Sequence, residues 1–499
     1  MFRNEGSKHH LRRVGMSLLA VGASAGLLMV GSLPVLAKTA PKIAFSILIP
    51  GQPTSATNEP LNKLVVRYEH LHPNVHIKYD ILGPSVSSLT YLITKGSTHQ
   101  DPTIVPGIQY QQATSGEIPA GLLVNLARYM NQKDPYVAAK TWINSYYAYA
   151  IDYYRNSNGA IYSTPGSEEG TAIFYNKADF AKAKIKGTPK TWAQWVNDMR
   201  ELKAKKIEPF LFAPGSACTT SWYERKAVSS MIHNQIPQFE QTKQQVLTGL
   251  NVAVGIEKGI ISMSNPRYAE AWKLLGQLRP YFYPGESDYE ACGTLNATTP
   301  PLSDMTPFVQ GKVAMIWDGT WNIPSLNQVY GGKYGVFPLP EITKATTPYA
   351  ANLSFTGDVG GPNGSGIFSL TTPKANGGSW AADNQAANFL EFINSPQNNG
   401  PFVRVTAPGT APVVKGAKVG AQAKGLKALR PQAKLPVAVD GILDNELDAT
   451  AGNAGQRLVE AYVDGSMSFS KFAKQWNATL QEAAANWAKT NKVNLAKYK

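Results

Sequence analysis

The sequence predicts an α/β protein built as two lobes with a cleft between them. Apolar strand patterns alternate with amphipathic helical patterns over residues 43–105, and a second alternation begins near residue 160. A chain of 499 residues is also long enough for more than one core. Strands that alternate with helices are typical of parallel sheets, because the helix returns the chain to the same end of the sheet.

The first unit begins with a predicted buried strand that ends at Pro50-Gly51. Apolar residues at helical spacing follow, starting after Asn58 and Pro60. The predicted order is strand 43–49, helix 58–68, strand 75–79, helix 85–94 and strand 103–105. We expect these strands to be parallel, with right-handed crossovers.

The second unit and the C-terminal part repeat these two patterns. Predicted strands are 161–165, 172–175, 210–212 and 312–317. Predicted helices are 177–184, 191–204, 222–233, 265–279, 386–393 and 469–487.

The N-terminus has the three parts of a secretory signal peptide. A basic region with Arg12 and Arg13 precedes an apolar run, and Ser32–Ala37 supplies small residues for cleavage after Ala37. We therefore expect residues 1–37 to be removed and the protein to be exported. Retention of residues 14–37 as an uncleaved anchor is the alternative. No cysteine lies near the cleavage site, so a lipid anchor through cysteine cannot form there.

The charge balance leaves several partners open. Removing residues 1–37, with four cations and Glu5, lowers the net charge from +14 to +11. Residues 404–434 hold seven cations and no acid, but without interleaved aromatics they do not favour nucleic acid. Three interpretations of residues 404–434 remain open: a solvated surface, a surface attracted to anionic cell-envelope polymers, or a binding surface for an acidic ligand.

Cysteine usage excludes several classes of protein. Cys218 and Cys292 are too few for a disulfide-dense scaffold, an iron–sulfur protein or an all-cysteine zinc site. In an exported chain they fit a disulfide, and two free buried thiols are the alternative.

The most specific segment is Phe308–Trp321, which reads FVQGKVAMIWDGTW. It resembles the F-x-x-G-K-x-A-M-x-x-x-G-x-W signature of the family 1 extracellular solute-binding proteins, the sugar-binding receptors of ABC importers. Three further segments resemble that family in the expected order, as does the opening strand-helix-strand. They are FYNK at 174–177, PKTW at 189–192 and AANFLEF at 386–392.

The resemblance implies a type II periplasmic-binding-protein-like fold, similar to maltose-binding protein, with a hinge and an inter-lobe ligand cleft. Lobe 1 is expected at 42–152 plus 342–410, and lobe 2 at 153–341 plus 411–499 with the C-terminal helices. The implied ligand is a sugar or oligosaccharide, and the implied partners are the transmembrane subunits of an ABC permease. We expect an extracellular or periplasmic monomer associated with the cell envelope, with no cofactor, no metal and no nucleic acid. Many Gram-positive relatives carry a lipidated cysteine, which this chain lacks.

The signature also gives the leading site residue. Trp321 offers a flat apolar face of the kind on which sugar rings stack, and we expect Gly319 and Thr320 to let the backbone approach a ligand. A core position for Trp321 is the alternative.

Other candidates mostly follow predicted strands, where open α/β sheets bind ligands. Carboxylates and amides would accept or donate hydrogen bonds to sugar hydroxyls, and aromatic side chains would stack. These candidates are Gln52, Tyr110, Glu168, Glu169, Trp222, Tyr223, Asn352, Phe355 and Asp358.

Two rival classes remain at this point: a secreted carbohydrate-active enzyme and a cell-wall polysaccharide-binding protein. No catalytic residue is assigned, because the chain after residue 37 has no G-x-S-x-G elbow, no H-E-x-x-H and no P-loop, and Glu168-Glu169 are directly adjacent. His70, His72 and His76 straddle a helix end and a strand, which makes a poor metal set.

Overall fold

The protein is described by a computed structural model. The described residues belong to one compact unit, Pro41–Lys499. They are 43–83, 88–106, 121–138, 140–156, 158–242, 247–293, 295, 298–351, 360–422, 439, 442–443 and 447–499. In these ranges no helix has the length and apolar character needed to cross a membrane.

The strands of the described ranges are short. They are β1 (Ile43–Pro50), β2 (Val75–Leu82), β3 (Ile104–Pro106), β4 (Glu169–Asn176), β5 (Tyr289–Glu290), β6 (Leu302–Ser303), β7 (Met315–Gly319), β8 (Tyr334–Phe337), β9 (Gly360–Gly361) and β10 (Phe368–Leu370).

The helices occupy more of the chain than the strands. They are α1 (Glu59–Leu71), α2 (Ser88–Gly96), α3 (Ala127–Met130), α4 (Trp142–Ser145), α5 (Ala148–Tyr154), α6 (Lys177–Lys182), α7 (Trp192–Ala204), α8 (Ala217–Tyr223), α9 (Ser229–Ile232), α10 (Gly249–Glu257), α11 (Pro266–Leu278), α12 (Met305–Val309), α13 (Ile323–Tyr330), α14 (Pro373–Asn376), α15 (Trp380–Ile393), α16 (Pro396–Thr406), α17 (Ala449–Val463) and α18 (Phe469–Thr490).

The first sheet has the strand order β10–β3–β1–β2. β1 is parallel to β2, from Ile43 opposite Val75 to Pro50 opposite Leu82, and it is parallel to β3. β10 returns antiparallel to β3. The predicted parallel pairing of the first three strands is therefore confirmed. Residues 47–49 of β1 are consecutively apolar and buried, because the strand lies between β2 and β3 and is covered on both faces there.

The second sheet has the order β7–β4–β8 and is antiparallel, with Ile173 of β4 opposite Trp317 of β7. All five residues of β7 are buried. The apolar run of the signature segment therefore forms a fully buried strand beside β4, which is the central strand of this sheet.

The apolar core is divided in the same way as the sheets. Trp142, Ile161 and Phe389 pack around the first sheet. Trp272 and Ala350 pack around the second. The chain passes from one sheet to the other shortly after Ile161 and again after Ala350.

The last two helices pack on the core of the second sheet. Phe472, Trp476 and Leu480 of α18 are buried there, and the Trp476 indole donates a hydrogen bond to the Tyr268 hydroxyl (2.9 Å). The apolar stripe of 469–487 thus predicts the buried face of α18 correctly.

Two predicted strands are wrong as regular elements. Residues 161–165 and 210–212 form only isolated bridges, such as Ser163 with Ser369 and Leu211 with Ile316. Pro165 has no amide hydrogen to continue a ladder, and Ala213 adopts a positive φ of 53° that ends the extended backbone.

The predicted helix 222–233 begins earlier and is less regular than expected. It starts at Ala217, and residues Glu224–Val228 form a π-helical turn between α8 and α9. The predicted strand 312–317 likewise starts at Met315.

Cys218 at the start of α8 is joined by a disulfide to Cys292, which follows β5. Their Cα atoms are 6.4 Å apart, and the bond closes a loop with a sequence separation of 74. The disulfide ties the loop after β5 to the helix that carries Trp222.

We expect reduction of this disulfide, or Cys218→Ser with Cys292→Ser, to lower the free energy of unfolding by about 4 kcal/mol, because a long loop is released in the unfolded chain. Urea unfolding with and without reductant measures this effect. The double serine variant is the control, since reductant should leave it unchanged. Equal stability of the oxidised and reduced parent would contradict the prediction.

Candidate functional site

Two passages of the chain connect the sheets, and a third segment lies beside them. Residues 163–170 lead to β4, residues 360–368 lead back to β10, and residues 407–414 pass alongside. We call these three segments the crossing region. Hydrogen bonds join them directly, including Gly166 N–H to Pro362 O (2.8 Å) and Glu168 N–H to Ala411 O (2.7 Å).

Glu168 and Glu169 lie where the first passage enters β4. Glu168 is buried, and its Oε2 accepts a hydrogen bond from the Tyr149 hydroxyl (2.8 Å). Glu169 pairs through its backbone with Gly361. Burial raises the pKa of Glu169 to about 7, because the charged carboxylate loses hydration there. The crossing region therefore holds two acidic side chains with different surroundings.

The end of β7 brings the signature residues to the same place. Gly319 is opposite Thr171 of β4, and the Thr320 hydroxyl accepts a hydrogen bond from Gly170 N–H (3.2 Å). Thr320 is fully buried, so its side chain holds the turn to β4. The peptide group that joins Glu169 to Gly170 is thus hydrogen-bonded to the residue directly before Trp321.

The structure gives a different explanation for the glycine at position 319 from the one predicted. Its φ is −83°, which any residue adopts, but a Cβ at this position would overlap the indole ring of Trp321. The missing side chain therefore makes room for Trp321 rather than for a ligand. The expectation that Gly319 lets a ligand approach the backbone is corrected accordingly.

Three tryptophans meet beyond this turn. Trp222 packs edge-on against Trp321 (ring centroids 5.8 Å apart, 68° between planes) and against Trp317 (5.9 Å, 62°). Trp317 and Trp222 are 1% and 8% exposed. Trp321 is only partly buried, so it is the member of this group that offers an accessible ring.

Tyr223 lies away from any open surface. It is 2% exposed, and its hydroxyl donates to the carbonyl of Ala271 (2.6 Å) in the second core. Its neighbour Trp222 points to Trp321 instead, because successive helical side chains face different directions.

Gln52 lies at the carboxyl end of β1, after Gly51, whose φ of 73° turns the chain. Its side chain is exposed, and its carbonyl accepts from Asn58 Nδ2 (3.0 Å). A cavity of about 580 Å³ opens beside this strand end. Its lining includes Pro50, Asn58, Gly364 and Phe402, so the crossing region borders it.

Four candidates lie outside the described residues, namely Tyr110, Asn352, Phe355 and Asp358. Of the other candidates, the structure brings Glu168, Glu169, Thr320, Trp222 and Trp321 together around the crossing region and the end of β7. Among the described residues, no hydrogen bond joins Gln52 to this group.

Sequence reasoning missed Tyr149 and Asn363. Tyr149 donates to Glu168, and Asn363 Nδ2 donates to the Tyr153 hydroxyl (2.8 Å). The run of tyrosines over residues 146–154 was the available signal. That run does not directly follow a predicted strand, so the position of strand ends does not single it out.

The arrangement combines a partly exposed indole ring with carboxylates and backbone amides. Such a set can hold a molecule that has both an apolar face and hydroxyl groups. Within the described ranges, no three His, Cys, Asp or Glu side chains are grouped so that they could hold a metal ion.

The family model of the bacterial extracellular solute-binding proteins matches residues 51–400, most of the chain. The chain belongs to this family. The family resemblance read from residues 308–321 and the three shorter segments is therefore confirmed.

A curated relative of this solute-binding protein is the multiple sugar-binding protein of Streptococcus mutans. The two are 24% identical over 172 residues, which is 34% of this chain and 37% of the relative's own length.

Solved structures show the same fold. The apo form of RafE from Streptococcus pneumoniae has a TM-score of 0.63 at 16% identity, covering 89% of this chain and 99% of RafE. RafE in complex with raffinose has a TM-score of 0.60 at 17% identity, covering 89% of this chain and all of RafE. The predicted two-lobed α/β fold is thus confirmed for this solute-binding protein.

We expect Gly319→Ala to displace the Trp321 ring, because the added Cβ overlaps it, and to lower stability by about 1–3 kcal/mol. The change in tryptophan emission relative to the parent measures the displacement. In a Trp321→Phe background the same substitution should change the emission little. An unchanged emission spectrum for Gly319→Ala alone would contradict the assignment of the glycine to ring packing.

Proposed function

We propose that this protein is the substrate-binding receptor of an ABC importer, which binds a sugar or oligosaccharide between its lobes and delivers it to a membrane permease. The observation that carries the proposal is the partly exposed Trp321 at the end of β7, beside Glu168 and Glu169 in the crossing region. On this proposal the protein releases its ligand unchanged and is not an enzyme.

The chemistry of the site supports a sugar. A pyranose ring has C–H faces that pack on an indole and hydroxyls that need acceptors and donors. Trp321 supplies the face, and the carboxylates of Glu168 and Glu169 supply acceptors. One similar structure is RafE in complex with raffinose, and the streptococcal relative is named a multiple sugar-binding protein. Both support a sugar as the ligand of this protein.

The remaining candidates take different parts in this proposal. Trp222 packs against the ring of Trp321, and Thr320 and Gly319 form the turn that positions Trp321. Gln52 would face the ligand from the carboxyl end of β1. Tyr110, Asn352, Phe355 and Asp358 stay candidates by their positions in the sequence, whereas we no longer assign Tyr223 to the ligand.

We also propose a hinge at the crossing region, so that ligand binding closes the lobes. The predicted lobes, 42–152 plus 342–410 and 153–341 plus 411–499, are the starting division. The packing of Ile161 with the first core and of Ala350 with the second supports moving two boundaries to the passages 163–170 and 360–368.

Location and partners follow from the family and the sequence. We propose export through the signal peptide at residues 1–37, followed by function as a monomer outside the cytoplasmic membrane. Long-range attraction between the net charge of +11 and anionic envelope polymers would help to retain the protein, because no cysteine lies near the cleavage site.

The test is a thermal-shift screen of residues 38–499 against raffinose and other neutral, amino and acidic saccharides. A sugar at about 100 times its dissociation constant stabilises the folded state by about 2.7 kcal/mol, which raises the melting temperature by several degrees. We expect one sugar class to shift the melting temperature and to be recovered unchanged. Consumption of the sugar, or no shift with any saccharide, would contradict the proposal.

Trp321→Ala tests the site itself. Loss of the stacking face should weaken binding of the sugar found in the screen at least about tenfold, or roughly 1.4 kcal/mol. Trp380→Ala is the matched control, because Trp380 is 48% exposed on α15 and packs with Arg128 in the first lobe. Equal affinity of Trp321→Ala and the parent would overturn the assignment of Trp321.

A further inference from the structure

Beneath the turn that carries Trp321 lies a pair of buried carboxyl groups. Asp304 and Asp318 are both 0% exposed, and their side chains are within hydrogen-bonding reach of each other. Asp318 belongs to β7, whereas Asp304 lies between β6 and α12. Nothing in the function proposed above uses either side chain.

Asp318 is surrounded by hydrogen-bond donors. Its Oδ1 accepts from Gly319 N–H (2.6 Å) and from Cys292 N–H (3.3 Å), and its Oδ2 accepts from Asn322 Nδ2 (2.8 Å). These donors come from both ends of the turn and from the disulfide loop. An acceptor with this many donors is best satisfied as a carboxylate.

Asp304 has the opposite surroundings. In the described part of the chain no well-aligned hydrogen bond reaches either of its carboxyl oxygens, although the Met305 N–H lies close enough to oppose the rise of its pKa. The backbone N–H of Asp304 donates to Glu290 O (3.0 Å). Two buried carboxyl groups in contact cannot both be ionised at low cost, so one proton is shared between them. It resides on Asp304, which then donates to Asp318.

The pKa values agree with this placement of the proton. Burial, followed by the negative charge of Asp318, raises the pKa of Asp304 well above its usual range. Burial raises the pKa of Asp318 to about 6, and its hydrogen-bond donors oppose the rise. Glu290 of β5 is the further acidic group that acts on Asp304, and Cys292 is in the disulfide and does not titrate.

We propose that protonated Asp304 is a positioning residue: by donating a hydrogen bond to Asp318, it fixes the turn Gly319–Asn322, and with it Trp321, against the disulfide loop at Cys292. That Trp321 contacts a ligand rests on the proposed function. The interaction of Asp304 with Asp318 is inferred without it. Asp304 acts only through Asp318 and the turn.

The first test is the pH dependence of stability, which needs no sugar. An unfolded aspartic acid releases its proton near pH 3.9, whereas folded Asp304 keeps it to a much higher pH, so unfolding releases a proton as the pH rises. The protonated acid contributes its full stability below about pH 3.9. This contribution falls as the pH rises and is lost once the pH exceeds the pKa of Asp304 in the folded protein. Relative to Asp304→Asn, the unfolding equilibrium constant of the parent should therefore rise about tenfold per pH unit.

Urea unfolding at about pH 5, 6 and 7 measures this ratio, which should change about a hundredfold over the range. If Asp304→Asn fails to fold, Asp304→Leu gives the same comparison, because it also removes the acid that holds the proton. Parallel pH profiles for parent and variant would overturn the proposal, since they would mean that no extra proton is held.

The second test separates positioning from general stability. The Trp321 signal is the emission spectrum of a protein minus that of its Trp321→Phe form. Asp304→Asn keeps a donor and should preserve this difference spectrum, whereas Asp304→Leu removes the donor and should shift it to longer wavelength. Asp101→Asn is the control, because Asp101 is another buried acid, but beside β3 in the first lobe.

An unchanged Trp321 signal in Asp304→Leu would overturn the positioning role. A shift in Asp101→Asn as large as that in Asp304→Leu would do the same, because the effect would then be general. Neither test uses a ligand, so failure of the sugar screen leaves both results interpretable.

Discussion

The backbone contact inside the crossing region sets the positions of everything around it. Gly166 lies so close to the carbonyl of Gly364 that a Cβ would overlap it, and the two passages can hydrogen-bond only because that side chain is missing. Two residues later, Glu168 forms an isolated bridge with Ala411 of the third segment. Because these segments join two separately packed cores, their register determines which side chains of one lobe meet the other.

β4 transmits this register to the candidate site. Its first residues pair with Gly360 and Gly361, and its next residues pair with the end of β7. One strand therefore holds the two glutamates and the turn before Trp321 at fixed separations. On its other side the turn is held by the hydrogen bond from Cys292 N–H, in the disulfide loop, to Asp318, which in turn is paired with Asp304.

Much of this architecture could be predicted from the sequence because apolar runs identify buried strands. That rule found β1 and the core of β7, and helical apolar spacing found α18. It failed at 161–165 and 210–212, where Pro165 and Ala213 prevent a ladder. The role of Gly319 and the pair of Asp304 with Asp318 were beyond prediction, since both depend on which atoms the fold brings together. Tyr149 escaped for the same reason, because its contact with Glu168 forms only after folding.

On the proposed function, a sugar lies against Trp321 where the two lobes meet. A crystal structure of residues 38–499 with the sugar found in solution tests it most directly. Our account predicts an intact sugar ring stacked on the Trp321 indole, with a hydroxyl within hydrogen-bonding distance of Glu168 or Glu169. A sugar bound elsewhere, with Trp321 untouched, or a cleaved sugar in the site would contradict the account.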